Sequence, residues 1–251
     1  MDMIKELRNA TGVSITECKK ALEEANGDID AAIEELRKKG IAKAGKRAEN
    51  ETSEGRIKIA VEGSKAYIVS ITCETDFVSR NDNFAANVDE ALEILKSSGS
   101  VDEARTAIEA KVTDWILQLG ENMRLGLCEI IEGDALGAYV HSNHKVAAVV
   151  SAKAGTDEGS LKQVAMHVSA SEVNALYADD FPAEALAKEK EIQLEQMKND
   201  PKMEGKPDQV LEKIIEGKMG KFVAEQTLTQ QAFIINPEQK VGDFIGADAL
   251  T

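Results

Sequence analysis

The chain has 251 residues, of which 43% are hydrophobic and 30% are charged, and this composition excludes a disordered or collagen-like protein. Its formal net charge is −15, and because an acidic surface repels phosphate backbones, we expect no DNA binding. The longest wholly apolar run, Val146–Val150, is far shorter than the ~20 residues that cross a bilayer, and no apolar signal region follows Met1, so we expect a cytoplasmic protein without membrane contact.

The first forty residues carry three short apolar stripes at helical spacing. They consist of Met3, Ile4 and Leu7; of Cys18, Ala21, Leu22 and Ala25; and of Ile29, Ala32, Ile33 and Leu36. Ser14 with Glu17 predicts a capping box at the second helix, and Asp28 predicts an N-cap for the third. Helices this short are marginal alone and must pack together. Residues 1–40 therefore resemble a ubiquitin-associated-type three-helix module.

A basic linker is predicted over residues 41–55. Six bases with no intervening acid run from Arg37 to Arg47. They could contact RNA, but a solvated helix end followed by a linker is the simpler interpretation, because bases near a helix C-terminus complement its dipole. Residues 1–50 hold equal numbers of acids and bases, so the net negative charge lies in residues 51–251.

The hydrophobic period changes after the linker, over residues 56–134. Apolar and polar residues alternate up to a turn at 62–65, and a β-branched run to Cys73 follows, which together predict a β-hairpin. Two amphipathic helices should follow up to about Gly120, and residues 124–131 should form another strand. The stripes of these helices are Phe84, Val88, Leu92 and Leu95, then Ala104, Ile108, Val112, Trp115, Ile116 and Leu119. We predict this region as core subdomain N.

A second region of similar pattern begins near residue 135. Two short strands and a helix repeat the order of the first region, so residues 135–178 and 223–251 predict a related core subdomain C. Residues 179–222 interrupt it with two helical stretches joined near Pro201 and Gly205, which is typical of a projecting antiparallel helical hairpin. The predicted fold class is therefore α+β with antiparallel sheets.

Catalytic motifs are missing from the sequence. It contains no phosphate-binding glycine loop, serine-hydrolase motif or zinc-peptidase motif, so we expect neither a cofactor nor an enzyme. His141, His144 and His167 could form a metal site, but the first two flank a predicted turn where their side chains need not converge, and we expect no metal. A Cys128–His141 nucleophile pair is a distant alternative, because a thiol in an apolar strand is usually inert. All three cysteines are expected to be reduced and buried: Cys18, Cys73 and Cys128.

One segment, Thr75-Asp76-Phe77-Val78, is not explained by folding alone. We predict it as a loop between the hairpin and the next helix, and Phe77 is out of phase with the apolar stripe of that helix. The ring could close the core beneath the loop, or it could be exposed together with Asp76 as an anchor for a partner. Its burial decides between these alternatives.

Motifs along nearly the whole chain resemble those of the elongation factor Ts family, the guanine-nucleotide exchange factors of elongation factor Tu. The tetrapeptide 75–78 is weak evidence alone, but the set in this order is specific. It comprises Leu7-Arg8, Thr11-Gly12, Glu17–Leu22, Gly27-Asp28-Ile29, Thr75–Val78, Gly120-Glu121-Asn122, Ala165–Val168, Glu216–Met219 and Lys221-Phe222. Family members usually continue past the position of Thr251 with a further strand, so we expect either a fragment with a truncated core subdomain C or a member that closes this sheet in another way.

The resemblance implies a role for particular residues. In the family, the Thr-Asp-Phe-Val segment dislodges Mg²⁺ from the GTPase, so Phe77 would wedge between helices of the partner and Asp76 would form a hydrogen bond beside it. GDP would then be released by elongation factor Tu, and no nucleotide would bind to this chain directly. Further contacts with the GTPase are implied for Lys19, Leu119, Gly120, His141, Phe233, Ile234 and Ile235.

Two functions from different classes are compatible with the sequence. The leading one is an exchange factor, which weakens GDP binding and is itself weakened by GDP, as linkage requires. The alternative is a passive adaptor, with a three-helix module, an oligomerising helical hairpin and no effect on nucleotide exchange. In either case a homodimer or a 2:2 complex could form through the hairpin.

Overall fold

The structure, a computed structural model, describes residues 2–203, 206–246 and 248–251. The helices in these ranges are α1 (Asp2–Thr11), α2 (Ile15–Glu24), α3 (Ile29–Arg47), α4 (Asp76–Ser79), α5 (Asp82–Ser97), α6 (Val101–Leu119), α7 (Glu158–Ala170), α8 (Ala183–Lys198), α9 (Asp208–Gln226) and α10 (Val241–Ile245). The strands are β1 (Glu54–Glu62), β2 (Lys65–Cys73), β3 (Met123–Glu132), β4 (Ala135–Val140), β5 (Ala147–Ala152), β6 (Ala232–Phe233) and β7 (Asn236–Lys240). None of the helices described is long and apolar enough to cross a membrane.

The chain divides into two compact units. Unit 1 comprises residues up to Glu132 together with Val140–Ala147, and unit 2 comprises Gly133–Tyr139 and Ala148–Thr251. The subdomain boundaries predicted from the sequence are finer than this division and stay predictions.

Helices α1 to α3 form the N-terminal part of unit 1. As predicted, the Ser14 hydroxyl accepts a hydrogen bond from the N–H of Glu17 to begin α2, and Asp28 accepts one from the N–H of Ala31 to begin α3. Both caps satisfy amide groups that have no partner inside the helix. The three apolar stripes meet in one buried cluster, which Leu117 of α6 joins: Leu7, Val13, Cys18, Ala21, Leu22, Ala32 and Leu36.

Helix α3 continues to Arg47, into the segment 41–55 that the sequence predicts as a linker. Alanine, lysine and arginine in this stretch are strong helix formers, and the single Gly45 costs only about 1 kcal/mol relative to alanine. The helix therefore extends beyond the end of its apolar stripe. Hydrophobic periodicity identifies the apolar face of a helix and does not show how far the helix continues past that face.

The sheet of unit 1 is antiparallel with the strand order β1-β2-β3. Gly63 takes a left-handed conformation at the predicted turn between β1 and β2. Helices α5 and α6 pack against this sheet, because their predicted stripes face it. The buried cluster includes Val69, Ile71, Phe84, Val88, Leu92, Leu95, Ile108, Val112, Trp115, Ile116 and Met123.

Unit 2 has its own core. Strand β4 pairs with β5, and β6 pairs with β7 antiparallel. Asp157 accepts a hydrogen bond from the N–H of Ser160 and begins α7, the helix predicted there. The core residues are Val150, Ala152, Leu161, Val164, Ala165, Leu228, Phe233, Val241 and Leu250. The two units together confirm an α+β fold with antiparallel sheets and N-terminal helices.

Helices α8 and α9 lie in the region predicted as a helical hairpin, and they contact each other. Lys218 of α9 donates a hydrogen bond from Nζ to Oε1 of Gln193 on α8, at 3.0 Å. Pro207 precedes the first residue of α9, where its missing N–H is not needed. Phe222 of α9 contacts Phe181 edge to face, with ring centroids 5.6 Å apart.

Candidate functional site

The segment Thr75–Val78 presents the most exposed large apolar side chain of the described residues. Phe77 is 83% exposed. The prediction of a loop here is wrong: Asp76–Ser79 form one helical turn, α4, because the Thr75 hydroxyl accepts a hydrogen bond from the N–H of Val78. The interpretation that Phe77 closes the core is also wrong, since Val78 packs against the core cluster instead.

The backbone of α4 is held by hydrogen bonds from outside the turn as well as within it. The Ser79 hydroxyl donates to the carbonyl oxygen of Asp76, at 3.0 Å. The carbonyl of Ser79 in turn accepts from Nε of Arg56 on β1. The Cys73 thiol donates to the carbonyl of Thr75, at 3.3 Å. The turn that carries Phe77 is therefore fixed at both ends.

Two carboxylates connect this turn to the loop after α6. The carboxylate of Glu121 accepts from the Thr75 N–H at 2.9 Å and from the Thr75 hydroxyl at 2.6 Å. The carboxylate of Glu74 accepts from the N–H of Asn122 at 2.5 Å and from Nδ2 of Asn50 at 3.1 Å. Two neighbouring residues of one segment thus exchange hydrogen bonds with two neighbouring residues of the other.

These contacts shift the ionisation of two groups. The hydrogen bond from the N–H of Asn122 is the main cause that lowers the pKa of Glu74, since it stabilises the carboxylate. Burial raises the pKa of Cys73 to about 12, so its thiol stays protonated and acts as a donor. Cys73 therefore supports the turn and is not a reactive nucleophile.

The carboxylate of Asp76 lies next to positive charge. Nη2 of Arg80 is 3.1 Å from Oδ2 of Asp76, and both side chains are substantially exposed. A concavity of about 570 Å³ begins beside this pair, and it is lined by Glu54, Arg56, Asp76, Ser79, Arg80, Ser142, Asn143, His144 and Lys145. An exposed ion pair of this kind contributes little to stability and can open at small cost when a partner arrives.

Leu119 and Gly120 precede a residue that binds the turn, and their predicted contacts with a partner stay predictions. Leu119 is partly buried against the core, and Gly120 ends α6 in a left-handed conformation with φ +79°. The following residue is Glu121, which binds Thr75. No role was predicted for Glu121 and Asn122, because their contacts join residues far apart in the chain.

Lys19 and His141 are both exposed in unit 1. Lys19 lies on α2, where its Nζ is 3.8 Å from a carboxylate oxygen of Glu23. The N–H of His141 donates to the carbonyl of Val146 at 2.9 Å, so its backbone is part of the turn between β4 and β5. Both positions are accessible to a partner, and their predicted contacts stay predictions.

The burial of Phe233 contradicts the contact with a partner that was predicted for this residue. It is 1% exposed and stacks on Phe244, with ring centroids 4.5 Å apart, so it is a core residue of unit 2. The next two residues, Ile234 and Ile235, are 50% and 49% exposed. The sequence of this apolar stretch could not distinguish the buried ring from its exposed neighbours. Strand β6 has only two residues, so it shows no alternation of buried and exposed positions.

The alternatives that involve metal or thiol chemistry gain no support. His167 is buried, and its two ring nitrogens bind the N–H of Ile234 and the side-chain oxygen of Gln231, so it has a structural role. Within the described ranges no group of three or more potential metal ligands lies together. Burial raises the pKa of Cys128, which opposes nucleophilic activity.

Comparisons with known proteins agree on one family. The family model described as Elongation factor TS matches residues 74–250. An Elongation factor Ts from Marinobacter nauticus is 43% identical over 248 residues, covering 97% of this chain and 84% of the relative. The proteins of the same name from Psychrobacter sp. and Vibrio vulnificus are each 40% identical, with 99% of this chain and 86% or 88% of the relative covered.

Proposed function

Because the chain belongs to the elongation factor Ts family, we propose that it is the guanine-nucleotide exchange factor of elongation factor Tu in translation elongation. It binds the GDP-bound GTPase, promotes release of GDP and so allows GTP to bind. The observation that carries this proposal is the 83% exposure of Phe77 on a turn that is fixed at both ends. An exposed ring on a rigid turn is suited to enter another protein, because little conformational entropy is lost on binding.

The proposed mechanism acts on the Mg²⁺ of the partner. Phe77 inserts between helices of the GTPase, and Asp76 forms a hydrogen bond beside it after separating from Arg80. The GTPase then moves the groups that hold Mg²⁺, an ion that bridges phosphate oxygens to the protein and neutralises their charge. Loss of this positive charge weakens the binding of GDP.

The energy of one ring is not sufficient for the effect. Burial of a phenylalanine side chain provides about 1.5–3 kcal/mol. A thousandfold faster release requires about 4 kcal/mol. The remaining contacts must supply the difference, and we assign them to the other residues for which the resemblance implies a contact: Lys19, Leu119, Gly120, His141, Ile234 and Ile235.

Several finer features belong to the same proposal. Helices α1 to α3 act as a ubiquitin-associated-like docking module, and α8 with α9 form a projecting helical hairpin that can pair two copies into a homodimer or a 2:2 complex. The chain itself binds no nucleotide directly, performs no covalent step and is therefore not an enzyme.

A nucleotide-release assay tests the proposal. Labelled GDP is released from elongation factor Tu in the presence of the wild-type chain or of the Asp76→Ala/Phe77→Ala variant, and we expect a loss of stimulation of about 100-fold. The matched control is Leu127→Ala, which removes another exposed apolar side chain from unit 1, on β3. It should retain full stimulation.

The variant must also stay folded for this test to be meaningful. Both substituted side chains are exposed, so the free energy of unfolding should change by no more than about 0.5 kcal/mol. Undiminished stimulation by a folded double variant would remove the assigned role of Phe77. Binding to elongation factor Tu that is indifferent to excess GDP would favour the adaptor instead.

A further inference from the structure

The hydroxyl of Thr75 donates one hydrogen bond and accepts another. It donates its proton to Oε1 of Glu121 at 2.6 Å, and it accepts from the N–H of Val78 at 3.4 Å. A hydroxyl has one proton, so the donation to Glu121 leaves a lone pair for Val78. Glu121 thereby orients the cap that makes residues 76–79 helical.

The same carboxylate also binds the backbone on the other side of the cap. Its Oε2 accepts from the Thr75 N–H at 2.9 Å, which fixes the chain as it leaves β2. Hydrogen bonds to a charged acceptor are stronger than those between neutral groups. One side chain thus sets both the entry into α4 and the direction of its cap.

A second carboxylate holds Glu121 itself in place. Glu74 accepts from the N–H of Asn122, the residue after Glu121. Asn122 also donates from Nδ2 to the carbonyl of Asn50, at 2.8 Å, and Asn122 is 3% exposed. The loop after α6 is therefore attached to the segment that follows α3, and its geometry does not depend on Thr75 alone.

We infer that Glu121 is a positioning residue for nucleotide exchange, which acts through Thr75 by fixing the helical turn that presents Asp76 and Phe77. This inference rests on the proposed function, since it assigns a supporting residue to the same site. Phe77 is not among the described residues that pack against the core, so the position of its ring is set by the backbone of α4. We call the two hydrogen bonds between Glu121 and Thr75 the clamp. Loss of the clamp would let the turn fray and would misplace the ring.

Two substitutions weaken these contacts from opposite sides, and the hydrogen bond from the Thr75 N–H to Glu121 remains in the second of them. Glu121→Ala removes both acceptors, and Thr75→Val removes the hydroxyl while it keeps the shape of the side chain. Each should lower the stimulated rate of GDP release about tenfold, because a ring on a frayed turn loses more conformational entropy on binding than a ring on a fixed turn. Glu121→Gln keeps one acceptor and should be intermediate, and Thr75→Ser should restore the wild-type rate. The matched control is Glu132→Ala, which removes a carboxylate paired with Lys65 elsewhere in unit 1.

A double-variant cycle separates positioning from direct contact. If Glu121 acts through Thr75, Glu121→Ala/Thr75→Val should be no worse than the more severe single variant, within about twofold. Fully multiplied losses would mean that the two side chains act independently and would overturn the inference, as would an unchanged rate for Glu121→Ala.

A measurement without the GTPase makes the result independent of the proposed function. Amide hydrogen exchange of the free chain should become faster at Thr75 and Val78 in Glu121→Ala, while amides of α5 keep their protection. Unchanged protection at Thr75 and Val78 would refute the clamp. If protection is lost but Phe77→Ala does not affect GDP release, the proposed function fails and the clamp stands only as a structural feature.

Discussion

At the scale of single residues, Phe77 and Phe84 show what position does to one side-chain type. Phe84 is 0% exposed and lies in the core of unit 1, whereas Phe77 is almost fully exposed. The sequence left this contrast open, because it allowed both a buried and an exposed Phe77. The exposure follows from α4, which turns the ring outward, and α4 depends on hydrogen bonds from other segments.

Glu74 gives a prediction about pH at the residue scale. Its pKa in the folded chain is lowered from the ordinary value of 4.5, mainly by the N–H of Asn122. Because the pKa is lowered, the carboxylate of Glu74 stabilises the folded state at pH values above 4.5. This contribution is lost as the pH falls from 4.5 through the pKa of Glu74 in the folded chain. Glu74→Gln should therefore reduce the free energy of unfolding by about 1 kcal/mol at pH 7.

The test compares urea unfolding of the wild type and Glu74→Gln between pH 7 and pH 3. The difference between the two proteins should shrink with falling pH, because the wild-type carboxyl then becomes neutral as well. Other carboxylates titrate in both proteins and cancel in this comparison. A difference that does not change with pH would show that Glu74 contributes through packing rather than through its charge.

The candidate site could be predicted only in part. Thr75–Val78 was identified from a short motif, and its exposure was one of two alternatives. The residues that fix it, Glu74 and Glu121, were not identified, because hydrogen bonds to residues 46 to 48 positions away leave no period in the sequence. The predicted partner contact of Phe233 was wrong for a related reason. A two-residue strand shows no alternation that would distinguish buried from exposed positions.

At the scale of elements, local signals predicted most of the secondary structure. The caps at Ser14 and Asp28, the turn at Gly63 and the end of α6 at Gly120 all involve residues within a few positions of one another. Such signals act within one turn of backbone and are therefore visible in the sequence. The end of α3 was not visible, because no breaker or cap residue marks it and propensity alone carries the helix onward.

Two glycines give a prediction of opposite sign for the same substitution. Gly120 has φ +79° at the end of α6, a conformation in which a side chain is strained even though a Cβ would meet no other atom. Gly217 lies inside α9, where a Cβ would also meet nothing, and its φ is not in the left-handed region. Gly120→Ala should destabilise the chain by about 1 kcal/mol, and Gly217→Ala should stabilise it by about 1 kcal/mol.

Urea unfolding followed by circular dichroism measures both variants, and each serves as the control for the other. Both substitutions add one methyl group to open space, so they differ only in the backbone conformation that receives it. The same sign for both would mean that local strain does not decide the effect. In that case the left-handed end of α6 would not be the reason for glycine at position 120.

At the scale of the whole molecule, each unit carries a core built from its own elements, so the chain does not depend on one continuous core. Exchange needs more energy than one exposed ring provides, and the residues assigned to the interface occur in both units. Lys19, Leu119 and His141 belong to unit 1, and Ile234 and Ile235 belong to unit 2. The whole chain is therefore the functional unit in the proposed mechanism.

The linkage between binding of the chain and binding of GDP gives a quantitative prediction for the whole chain. If the chain weakens GDP binding to elongation factor Tu by some factor, GDP must weaken the binding of the chain by the same factor. We expect this factor to be about 1,000, which corresponds to about 4 kcal/mol. Titration of elongation factor Tu with the chain, with and without excess GDP, measures one side of the relation, and titration with GDP, with and without the chain, measures the other.

The Asp76→Ala/Phe77→Ala variant separates binding from coupling in the same titrations. The proposed contacts of Lys19, Ile234 and Ile235 are unchanged in this variant, so it should still bind nucleotide-free elongation factor Tu. Its coupling factor should fall about 100-fold, to about 10, because the variant disturbs the Mg²⁺ region much less while the other proposed contacts remain. A variant that loses binding but keeps the full coupling factor would place the source of the coupling elsewhere, since only contacts that differ between the GDP-bound and nucleotide-free partner can change the affinity for GDP.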